Sequence, residues 1–102
     1  MFKLNPDPTF WAKVGIPVPG GDEVSVDFEF KALSRKALQQ FLTDSKGRED
    51  IDNLSEVVVG WKGVDKPFSR ETLELLLENY VASAKVIWQR FLDELTAARL
   101  GN

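Results

Sequence analysis

The chain has 102 residues and a mass of 11.5 kDa, enough for one hydrophobic core and too short for two ordinary domains. It is 43% hydrophobic and 11% aromatic, carries a net charge of −3, and contains neither histidine nor cysteine. Those two absences exclude Ser-His-Asp and Cys-His catalysis, imidazole acid–base chemistry, zinc fingers and thiol redox motifs.

Charge is spread evenly, with seven basic and eight acidic residues in 1–51 and six and eight in 52–102. No basic face is left for a phosphate backbone, so nucleic acid is not an expected partner. No apolar run approaches the roughly 20 residues that span a bilayer. Residues 1–8 hold no apolar core of signal-peptide length, which points to an intracellular protein. Neither cofactor nor metal is implied.

The first element is a β-hairpin over about 10–31. Phe10, Ala12, Val14, Ile16 and Val18 alternate with Trp11, Lys13 and Gly15, and Val24, Val26, Phe28 and Phe30 alternate with polar residues. Pro17-Val18-Pro19-Gly20-Gly21-Asp22 supplies the turn, and the prolines place the first arm at a sheet edge. A lone hairpin is marginal in water, so its apolar face must pack on helices, with Phe2–Leu4 a candidate third short strand.

A helix over about 34–44 starts at Ser34 as N-cap, with Leu33 placed to staple onto Leu38. Ile51, Leu54, Val57, Val58 and Trp61 then fit helical spacing over about 51–61, with Asp50 or Asp52 as cap. Val57-Val58-Val59 is β-branched and pulls the other way, but the longer periodic match favours helix. Past Pro67 a second N-cap, Ser69, opens a helix over about 70–78. A weak stretch at Asn79-Tyr80-Val81 separates it from a last helix over about 82–99, ending at Leu100-Gly101-Asn102. The expected fold is a single α+β domain over 1–102: an N-terminal antiparallel hairpin packed on about four α-helices.

Three blocks in this order carry a family likeness. They are Asp7-Pro8-Thr9-Phe10 with Val14-Gly15-Ile16-Pro17-Val18-Pro19-Gly20-Gly21, then Gly60-Trp61-Lys62-Gly63-Val64 with Pro67-Phe68-Ser69, and finally Trp88-Gln89-Arg90-Phe91-Leu92-Asp93-Glu94-Leu95. The ordered set resembles the tail assembly chaperones of long-tailed bacteriophages. That resemblance implies a non-enzymatic protein of the bacterial host cytoplasm that binds the tape measure protein and keeps it soluble. It implies recruitment of tail tube protein subunits and absence from the mature virion. A small structural tail or head–tail joining protein, and an inhibitor or antitoxin-like adaptor, are rival roles that also need no chemistry.

Six residues are candidates for partner binding. Trp11 lies opposite the buried face of its strand, so alternation exposes it, and with Pro17 it would mark a partner-facing edge strand. Trp61, between glycines, is either a core aromatic or an interface anchor. Trp88, Phe91 and Leu92 lie on the last helix, where core spacing competes with a seam for homo-oligomer formation. The acidic group Asp44, Glu49, Asp50 and Asp52 lacks the spacing of a calcium loop and reads as a solvated loop.

Overall fold

The computed structural model describes residues 1–96. Alternation produces two eight-residue strands, β1 (Thr9–Ile16) and β2 (Val24–Lys31), paired antiparallel from Thr9↔Lys31 to Ile16↔Val24 without interruption. Gly20 turns between them at φ 77°, in the left-handed region that side chains disfavour. Val14, Ile16, Val26, Phe28 and Phe30 are buried on one face, and every helix lies against that face. Among the described residues the result is an α+β fold with a three-stranded antiparallel sheet and four helices.

Ser34 caps α1 (Arg35–Asp44), its Oγ accepting from Ala37 N at 3.1 Å. A short loop leads to α2 (Asp50–Val57), whose N-cap is Glu49 with no side-chain bond. Asp50 and Asp52 sit in the first turn instead, where they favour the positive end of the helix dipole. Ser69 caps α3 (Arg70–Asn79) through a reciprocal capping box with Thr72. Tyr80 leaves helical geometry and Ser83 opens α4 (Ser83–Thr96). There the buried Ser83 hydroxyl donates to Leu76 O at 3.4 Å, holding the corner closed. The expected continuation of α4 through Ala98, and its ending at Leu100-Gly101-Asn102, lie outside the described residues.

Two expectations are corrected. Phe2–Leu4 forms no strand; residues 1–8 run exposed ahead of β1. The third strand is β3 (Val58–Lys62), in the region expected to finish a helix over 51–61. α2 stops at Val57, and Val58 takes extended geometry at φ −94°, ψ 124°. β3 pairs with β2 from Asp27↔Lys62 to Phe30↔Val58, with a bulge at Val59. The bulge explains the misreading. Val58 and Trp61 are three apart, which in an unbroken strand puts them on opposite faces. The extra residue returns both to the core face, so a bulged strand imitates helical spacing. The β-branched run wins because it leaves the sheet with a partnered third strand.

The core joins the layers through aromatic rings. Phe30 lies 5.5 Å from Phe91 of α4, Phe91 lies 6.0 Å from Phe41 of α1, and Phe28 lies 6.2 Å from Trp61 of β3. Leu54, Leu73 and Ile87 fill between them, fully buried. Leu73→Ala is expected to cost about 2–5 kcal/mol in urea unfolding. Leu77→Ala, at a half-buried position on the same helix, should cost clearly less. Equal losses would mean that α3 is rotated from this placement.

Candidate partner-binding surface

The alternation that buries Val14 and Ile16 turns Thr9, Trp11, Lys13 and Gly15 outward from β1. Strand register then fixes their neighbours. Trp11 lies opposite Glu29 and Glu29 opposite Gly60, so one row crosses all three strands on the uncovered face. Gly60 leaves space in that row. A Cβ there would fall 3.0 Å from Glu29 Oε1 and 3.9 Å from Trp11 Cη2, so the indole reaches across β2 to β3.

Charged side chains around the indole each have a contact of their own. Lys62 Nζ sits 4.4 Å from the Trp11 ring centroid, a contact of about 0.5–1 kcal/mol at an exposed site. Thr9 Oγ1 donates to Glu29 Oε2 at 2.7 Å, and Lys13 pairs with Asp27 at 2.9 Å. What remains is a large, rigid ring, 45% exposed and surrounded by polar groups. Exposed Trp within a polar surround is the residue type and setting that interface anchors favour, which makes Trp11 a candidate for one.

The other candidates fall elsewhere. Pro17 is half-buried directly after β1, which is an edge strand of the sheet. Trp61 faces the helices: its ring meets Phe68 at 5.2 Å, and its Nε1 donates to Lys66 O at 2.9 Å. Trp88 is half-buried with its ring 5.5 Å from Phe41, and Leu92 packs partly against the core. Phe91 is fully buried between Phe30 and Phe41, which makes it a core ring with no surface to offer a partner. Sequence alone did not identify Lys62, Gly60 and Glu29 as neighbours of Trp11. Their proximity depends on the β2–β3 register, and the β-branched run was its one advance signal.

A second polar group fastens the helices. Arg70, at the start of α3, donates to Asp52 Oδ1 at 2.6 Å and to Ser55 Oγ at 2.8 Å, tying α3 to α2. The Asp52 hydrogen bond raises the Arg70 pKa further above its ordinary value. It also offsets the unfavourable placement of a cation at a helix N-terminus. Arg48 reaches from the α1–α2 loop to Glu56 at 3.1 Å. Among the described residues no group of three or more carboxylates is placed to hold a metal ion.

A family model described as phage tail assembly chaperone matches residues 1–102. No curated protein and no solved structure matches the chain.

Trp11→Ala should lower stability by less than about 1 kcal/mol, because it removes a half-exposed ring and one cation–π contact. Trp61→Ala should cost about 2 kcal/mol or more, because its ring packs against Phe28 and Phe68. Chemical denaturation of the two variants checks the contrast. A Trp11 loss as large as that of Trp61 would make Trp11 a structural ring.

Proposed function

The chain belongs to the phage tail assembly chaperone family, and from that premise we propose that it holds the tape measure protein through the uncovered sheet face around Trp11. In this reading it works without catalysis. It keeps a long, mostly helical client soluble, recruits tail tube subunits, and is absent from the finished particle.

The observation that carries the reading is the asymmetry of the sheet. Helices cover one face, and the other presents a half-exposed indole amid engaged charges. A sheet with one open face is a natural seat for another amphipathic helix, since helix-on-sheet layering is how such faces are buried. A client helix laid across β1–β3 would complete that second layer, with Trp11 as its apolar anchor.

One large anchor also suits release. A contact this small gives weak binding per copy, and many copies on one long client gain strength through avidity. The client is therefore shielded along its length yet freed as tube subunits displace the chaperone.

Co-expression with the tape measure protein of the same genome should yield soluble client bound to this chain. Trp11→Ala should weaken that capture by about tenfold or more while the melting temperature stays nearly unchanged. Failure to bind the client or to keep it soluble would overturn the reading. Mass spectrometry of purified virions should lack the chain; its presence would make it a structural part instead.

A further inference from the structure

The two edges of the sheet differ in how they are closed. β3 is five residues long and bulged, and both features discourage a further strand. β1 runs for eight residues in unbroken register, with Pro8 and Pro17 just outside its ends and no proline within. It lacks those defences.

Backbone phase shows what the β1 edge offers. Ala32 N donates to Pro8 O at 2.9 Å, one step ahead of the Thr9↔Lys31 pair. Bonded pairs alternate along an antiparallel ladder, so Phe10, Ala12, Val14 and Ile16 turn their N–H and C=O groups towards β2. Thr9, Trp11, Lys13 and Gly15 turn theirs to the open edge, and among the described residues none of those groups has a partner. The core face is unfinished at the same place. Phe28 and Phe30 are fully buried, whereas their β1 partners Ala12 and Phe10 are half-buried, with no strand beyond them.

We propose that β1 of one copy pairs antiparallel with β1 of a second copy about a two-fold axis at Ala12, joining two three-stranded sheets into one. One register uses the whole edge. With Ala12 opposite Ala12, Trp11 meets Lys13 and Thr9 meets Gly15, so every outward residue of each copy is bonded. An axis at Trp11 would set Gly15 against Asp7, ahead of the strand. An axis at Lys13 would set Thr9 against Pro17, which has no N–H, and bring two lysines face to face.

Side chains favour the Ala12 register too. Each Lys13 comes beside the other copy's indole, cation against ring, while Asp27 at 2.9 Å balances its charge. On the core face Phe10 lies against Val14 of the other copy, which covers the half-buried ring. The axis stands perpendicular to the sheet, so both Trp11 faces look the same way. This pairing does not rest on the client reading and is measured without a client.

The chain has no cysteine, so single-cysteine variants of the full chain report the register directly. Opposed residues of a non-bonded antiparallel pair lie about 4.5 Å apart at Cα, within reach of a disulfide. With oxidised glutathione, Ala12→Cys should form a disulfide dimer about tenfold faster than Trp11→Cys, Lys13→Cys or Lys66→Cys. In sedimentation velocity the unmodified chain should dimerise with rising concentration. Lys13→Pro removes only an outward N–H, so it should weaken dimerisation by about tenfold or more while the dilute chain keeps its melting temperature. Should that variant fail to fold, the cross-linking rates decide alone. A chain that is monomeric at every concentration, as it would be if the edge received a strand of another protein, overturns the proposal. So does fastest cross-linking at another position, or a folded Lys13→Pro that dimerises like the parent.

Discussion

Two phenylalanines on the central strand set the terms for the whole molecule. Phe28 and Phe30 project from β2 to the same side and are completely buried. A strand flanked on both edges can hide them only from below. Burying each is worth about 1.5–3 kcal/mol, a large share of the margin available to a chain this size. The other elements serve that requirement: Phe91 of α4 reaches Phe30, and Trp61 of β3 closes over Phe28. The bulge at Val59 allows Trp61 and Val58 to point the same way. The Ser83–Leu76 bond and the Arg70–Asp52 pair then fix how α3 and α4 can lie.

Concentrating the buried apolar residues on one face leaves the other face polar, and the proposed function rests on that asymmetry. An open three-stranded face with engaged charges is stable in water without a cover. A single indole on that face adds a reason for a partner to land there. For the proposed role this division would be useful, because a partner on the open face would touch little that contributes to folding and could come and go without disturbing the core.

Much of this was legible in the sequence because it depended on local rules. The hairpin followed from strict alternation in 10–16 and 24–30, and the same alternation placed Trp11 outward. Ser34 and Ser69 marked helix starts through their caps, and the weak Asn79-Tyr80-Val81 stretch marked the corner between α3 and α4. What resisted reading was non-local. β3 was hidden because its bulge gives Val58 and Trp61 a helical separation, and the sequence does not announce which strand will accept the β-branched run. Lys62 and Gly60 became neighbours of Trp11 only through that pairing. Phe91 was ambiguous for a different reason: core spacing and interface spacing on a helix are identical until the covering layer is known.

The three tryptophans report separately on the three regions that matter. Trp11 lies on the open face, Trp61 packs against Phe28 and Phe68, and Trp88 packs beside Phe41. Fluorine NMR of fluorotryptophan-labelled chain, with resonances assigned by single Trp→Phe variants, can therefore watch the client arrive. Adding a tape measure segment should shift and broaden the Trp11 resonance while that of Trp88 stays in place. A shift of Trp88 with an unmoved Trp11 would contradict the assignment of the uncovered sheet face as the surface that holds the client.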